Sequence, residues 1–96
     1  MSLHMLNERD STVLKSLYKY RKEVFKEGSL TVREKELIAL ALSSASKCEA
    51  CLEYHAEKAK EAGATGQDIL EVMELVTYMT GPSGIIWTEK IDEIVK

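Results

Sequence analysis

Residues 31–65 read TVREKELIALALSSASKCEACLEYHAEKAKEAGAT, and this stretch decides the fold class. Thr31 and Glu34 have the spacing of a capping box, in which each side chain satisfies a free backbone N–H at a helix start. From there ELIALALSSA continues at helical spacing and is apolar on most sides, which predicts a deeply buried helix. Ser46 and Glu49 repeat the capping-box spacing, so a further helix is expected from Ser46. Gly63 suits the left-handed position past its end. Strand-like alternation is absent, and the pattern reads as all-α.

The flanks carry the same signal. A first helix is expected over about Asp10–Lys26, with Val13, Leu14, Leu17, Val24 and Phe25 in one apolar stripe, Arg21 between them, and Gly28 past its end. A fourth starts near Thr65, with Asp68 three residues on, and runs to about Thr80. GPSG at 81–84 is a break. Pro82 and Ser83 suit the start of a last helix carrying Ile86, Trp87, Ile91, Ile94 and Val95. The total is about five helices. Each apolar stripe reads as core. Trp87 and tyrosines 18, 20, 54 and 78 read as core or interface, and Tyr54 lies off the cysteine face. Helices two and four carry more apolar surface than a small monomer easily covers, which predicts subunit contacts.

Composition sets the outer bounds. At 96 residues the expectation is one domain over 1–96, with 1–9 as a frayed N-terminus. Hydrophobic residues make up 45% and charged residues 30%, a globular balance. A net charge of -3 gives no electrostatic case for nucleic acid or an anionic membrane. No apolar run reaches the roughly 18–20 residues of a membrane span. The opening MSLHMLNERD lacks the pattern of a signal peptide. A cytoplasmic protein is therefore expected, a setting in which structural disulfides are rare.

The chemistry concentrates in CEACLEYH, residues 48–55, which holds both cysteines and one of the two histidines. With Ser46 as N-cap, Cys48 would be the second helical residue and Cys51 the fifth. At about 100° per residue, Cys48, Cys51 and His55 fall within an arc of roughly 60°. Cysteines three apart on a helix are close enough for a disulfide. A helix start favours anions, and so favours thiolate over thiol. On that ground Cys48, nearer the N-terminus, is the better thiolate. The four-residue step to His55 favours Cys51. Lys47 adds a nearby positive charge, and Glu49 is read as a capping residue. Glu36 lies on the preceding helix, followed at once by LIALAL. It reads either as a solvated residue among Arg33, Glu34 and Lys35, or as a buried carboxylate. A buried one needs a partner, and His55 is available.

The pattern Glu36-x11-Cys48-x2-Cys51-x3-His55 resembles the signature of AhpD-like alkylhydroperoxidases, in the carboxymuconolactone decarboxylase superfamily. LIALALS before the cysteines, AEKAKEAGAT after His55 and the following ILEVMELV extend the likeness over roughly residues 31–80. The resemblance implies an AhpD-like helical fold that assembles into trimers or hexamers. It implies peroxide reduction at a dithiol, regenerated by a reducing dithiol or thiol-protein partner and needing no cofactor. By position, Cys51 resembles the peroxide-attacking cysteine, Cys48 its resolving partner, and Glu36 and His55 a proton relay. Some peroxidases of the family carry a histidine directly before the second cysteine, where this chain has Ala50.

Other readings compete. General thiol–disulfide exchange uses the same pair without peroxide. Cys48, Cys51 and His55 could supply three zinc ligands, with Glu36, His4 or water as the fourth. A structural zinc site usually draws on a second Cys or His pair, which the sequence lacks. Decarboxylase chemistry on a lactone does not depend on the Cys-x2-Cys pair. A non-enzymatic helical module explains the apolar helices but not the motif.

Overall fold

The computed structural model describes residues 11–96. The frayed terminus expected over 1–9, the helix start expected at Asp10, and His4 lie outside the described residues. Among the described residues five α-helices follow one another: α1 Thr12–Val24, α2 Val32–Ala45, α3 Glu49–Glu61, α4 Gly66–Thr80 and α5 Glu89–Val95. A single 3-10 turn, Pro82–Gly84, separates α4 from α5. No strand occurs among the described residues, and the all-α expectation holds.

The core is built where the helical stripes of α2, α3, α4 and α5 converge. Leu40, Leu52, Ala56, Ile69, Met73 and Ile91 form one buried cluster. Each fully buried Leu or Ile there contributes roughly 1.5–3 kcal/mol relative to exposure. Thr31 and Thr65 both start their helices with reciprocal capping boxes, completed by Glu34 and Asp68. Asp68 also meets Arg33 of α2 at 2.6 Å, which ties the starts of α2 and α4 together. These bonds favour the ionised carboxylates. The backbone N–H of Thr31 holds Glu34 below its ordinary pKa. The backbone N–H of Thr65, and then Arg33, do the same for Asp68.

The capping box expected at Ser46 and Glu49 does not form. Ser46 is instead the C-cap of α2, and its hydroxyl donates to the Ser43 carbonyl at 3.2 Å. Lys47 takes a φ of 63°. Its N–H donates to Ser44 O and that of Cys48 to Ser43 O, both at 3.0 Å. This pair of bonds is a Schellman ending, which usually has glycine at the left-handed position. A lysine there hides the helix end from a sequence reading. Cys48 becomes the N-cap of α3, and its Sγ accepts the Cys51 N–H at 3.3 Å. Cys48 is therefore not the second helical residue, and Cys51 lies in the first turn. The end of α3 repeats the motif with Gly63 at a φ of 102°.

The last helix also departs from expectation. It starts at Glu89, with Thr88 as N-cap, and not at Pro82. Ile86 and Trp87 precede it. The cause is a tertiary contact. Ser44, fully buried on α2, donates its hydroxyl to Gly84 O at 2.8 Å and accepts the Ile86 N–H at 3.1 Å. These bonds hold the chain after Gly84 against α2 and out of helical geometry. Gly84 must lie close here, since a Cβ would run into the Thr80 side chain. Ser44→Ala leaves a carbonyl and an N–H without this partner, and is expected to lower unfolding free energy by about 1–3 kcal/mol. Urea denaturation measures this; an unchanged midpoint would show that the connector does not depend on Ser44.

The α1 stripe is not core, apart from Leu14. Val13, Leu17 and Val24 are exposed, as are Tyr18, Tyr20, Tyr78 and Trp87. The end of α1 is fixed by Lys35 of α2, whose Nζ donates to the carbonyls of Val24 at 2.9 Å and Lys26 at 2.7 Å. Apolar side chains also remain uncovered on α2 (Ile38, Leu42) and on α4 (Leu75, Tyr78, Met79).

Candidate functional site

Glu36 sits near the start of α2 and is only 7% exposed, so it is not the solvated residue its charged neighbours suggest. Its Oε1 lies 2.6 Å from His55 Nδ1 on α3. An ionised carboxylate only accepts hydrogen bonds, so Nδ1 carries the proton of this bond. Nε2 is then the ring nitrogen able to take or give a proton. The contact fixes the imidazole's orientation, since both partners are held on packed helices.

Cys48 and Cys51 are joined by a disulfide, with their Cα atoms 5.3 Å apart. The link spans from the N-cap of α3 into its first turn. Cys48 is half-buried, whereas Cys51 is exposed. Cys51 and His55 both line a cleft of about 520 Å³ between α1 and α3. The opposite wall comes from Leu17, Tyr20 and Arg21 of α1 and from Phe25, its C-cap. The Phe25 ring stacks on the His55 ring, with centroids 5.5 Å apart and planes 18° from parallel. The Tyr54 ring lies 5.1 Å from that of His55, at a tilt of 38°. The Arg21 guanidinium carbon sits 4.1 Å from the Tyr54 ring centroid.

All four residues singled out in the sequence thus lie in one neighbourhood, two joined as a disulfide and two as a hydrogen-bonded pair. Lys47 and Glu49 are exposed at its edge. The sequence reading missed the α1 wall. Phe25 was expected in the core, yet it covers the imidazole. Tyr54 was expected off the cysteine face, yet it lines the same cleft as Cys51 and His55. No local pattern marks a contact between α1 and α3, because it joins segments far apart in the chain. Among the described residues, no group of three or more His, Cys, Asp or Glu side chains is arranged to hold a metal ion. No helix among them is long and apolar enough to cross a membrane.

The chemistry available here is thiol redox chemistry. The disulfide can be opened by a thiolate and closed by oxidation, and the imidazole can move a proton beside it.

A helical fold with a Cys-x2-Cys pair at a helix start and a Glu–His pair behind it defines the class of protein. The sequence profile of the carboxymuconolactone decarboxylase family matches residues 12–87, and the chain belongs to this family, which includes AhpD-like proteins. Uncharacterized protein 4 in cox locus, from Paracoccus denitrificans, is 34% identical over 77 residues, covering 76% of this chain and 69% of that protein. An uncharacterized protein of Cupriavidus necator is 33% identical over 69 residues, covering 72% of this chain and 61% of that protein. The fold matches the apo crystal structure of a carboxymuconolactone decarboxylase family protein from Legionella pneumophila. The TM-score is 0.85 at 24% identity, over 98% of this chain and 88% of that one.

Proposed function

We propose that this protein reduces organic hydroperoxides with the Cys48–Cys51 dithiol, and that a thiol-containing partner reduces the disulfide that results. One observation carries the reading: Cys51 of a disulfide-forming pair lines a cleft beside an imidazole held by a buried carboxylate. In the reduced protein, Cys51 as thiolate attacks the terminal oxygen of the hydroperoxide. The O–O bond breaks, the alkoxide leaves and takes a proton from His55, and Cys51 becomes a sulfenic acid. Cys48 sulfur then attacks Cys51 sulfur. Its thiol proton and the departing hydroxide leave as water, and the disulfide closes. The balance is dithiol plus hydroperoxide giving disulfide, alcohol and water. A reducing dithiol reopens the bridge by exchange. A cytoplasmic setting would supply such partners.

The test mixes reduced protein with an alkyl hydroperoxide and follows thiols, peroxide and alcohol together. Loss of both cysteine thiols per chain, with one alcohol formed per peroxide, is expected. Peroxide consumption no faster than with a free dithiol would overturn the reading. The exposure of Cys51 favours a second reading, general thiol–disulfide exchange, since a partner thiolate can reach its sulfur. That reading gains if protein disulfides are reduced while peroxide is left untouched.

The uncovered apolar faces of α2 and α4 support assembly of copies of the chain. Leu42 is 64% exposed, Met79 72% and Tyr78 84%. The proposed state is a homohexamer, with a homotrimer as the next choice. Sedimentation at micromolar concentration should give a multiple of 10.8 kDa, and a stable monomer would rule assembly out.

A further inference from the structure

We infer that Arg21 makes the cleft selective for anionic, amphipathic hydroperoxides, with the substrate's carboxylate on the guanidinium and its peroxide toward Cys51. The inference rests on the peroxide-reducing reading and deepens it. The chain has 16 acidic residues, yet none of the residues lining this cleft is acidic. The lining is largely aliphatic and aromatic, and Arg21 is its one permanent cation. At about 520 Å³ the cleft falls within the range that takes small organic ligands, about 300–1,000 Å³.

Arg21 is held in a way that leaves it free for an anion. Its guanidinium carbon lies over the Tyr54 ring, 4.1 Å from the centroid, so the ring packs against the group. A guanidinium carries its N–H donors in a planar fork that matches a carboxylate. Arg21 has no ion-pair or hydrogen-bond partner for its side chain among the described residues. Lys58 Nζ, 5.5 Å from the same ring centroid, adds a second positive charge nearby. Its own partner, Glu61, is 3.4 Å away and exposed. An acid with an apolar chain would therefore place its charge at Arg21 and its chain along Leu17 and Phe25. A carboxylate there takes no part in the redox step and leaves unchanged on the alcohol product.

The experiment compares a medium-chain hydroperoxy fatty acid with its own methyl ester, as oxidants of the reduced full-length protein at submicellar concentration. The acid is expected to oxidise the thiols about ten-fold faster than the ester, as a charge-assisted hydrogen bond allows. Added salt should slow the acid and not the ester. Arg21→Gln should abolish the difference between acid and ester, with tert-butyl hydroperoxide followed as a reference oxidant, and Arg21→Lys should restore part of it. Binding of the corresponding hydroxy acid to the oxidised protein gives a readout independent of turnover, and should weaken about ten-fold in Arg21→Gln. Equal rates for acid and ester in the parent protein would overturn the inference alone. So would an equal loss of all three oxidants in Arg21→Gln, which would mark Arg21 as a packing residue. No oxidation by any of the three would overturn the peroxide-reducing reading itself.

Discussion

Cys51→Ser is expected to slow hydroperoxide turnover by roughly 10³-fold or more, the scale on which loss of a nucleophile removes covalent catalysis. A serine hydroxyl has neither the acidity nor the nucleophilicity to attack an O–O bond at neutral pH. Cys48→Ser should behave differently. Its Cys51 can still attack once, so one equivalent of peroxide should be consumed per chain and the reaction should stop at sulfenic acid. A sulfenic-acid-specific dione reagent, read by intact mass, distinguishes the two variants. The assignment follows from exposure and neighbourhood, since Cys51 is exposed and shares the cleft with His55 while Cys48 is half-buried. The opposing argument is electrostatic. Cys48 is the N-cap, and its sulfur accepts a helix-start N–H, which favours thiolate there. If Cys51→Ser traps the sulfenic acid and Cys48→Ser is inert, the helix-start effect decides the order of attack and the roles are exchanged.

The parts of the molecule that were legible in the sequence are those set by local rules. Thr31 with Glu34, and Thr65 with Asp68, mark helix starts because each box is closed by residues three apart. Ser46 and Glu49 have the same spacing and mislead. The Schellman turn that wins there needs a left-handed residue, and Lys47 gives no sign of it. The start of α5 was missed for a different reason. Pro82 fits a helix start, but Ser44 fastens the following residues to α2 from a distance in sequence. The Glu36–His55 contact was legible in part. Twelve residues of spacing put the carboxylate on the helix before the motif, and burial then demanded a partner. The α1 wall was illegible. Its stripe looks like core, and nothing local tells that Leu17 and Phe25 would line a cleft while Lys35 pins the helix end.

The Glu36–His55 pair sets the second large expectation. Because Glu36 occupies Nδ1, the imidazole is left with Nε2, and in the proposed reaction this nitrogen would exchange protons first with the attacking thiol and then with the leaving alkoxide. General acid–base assistance of this kind contributes typically about 10²–10⁴-fold. Glu36→Gln keeps the shape of the side chain but removes the charge and lets the ring adopt the other tautomer. His55→Ala removes the proton carrier. Each is expected to slow peroxide-driven thiol oxidation by roughly ten-fold or more. The double variant should lose little beyond the worse single one, because groups acting as a unit are not additive. Stability must be followed separately. His55→Ala leaves a buried carboxylate without its partner, which destabilises the fold through desolvation, whereas Glu36→Gln leaves a neutral amide that can still bond the ring. Urea midpoints for both variants distinguish a lost relay from a lost fold. A relay predicts slow oxidation in Glu36→Gln at near-parental stability. Parental oxidation rates in both variants across pH 6–9 would leave Cys48 and Cys51 as a dithiol on a helix start, activated by the helix alone.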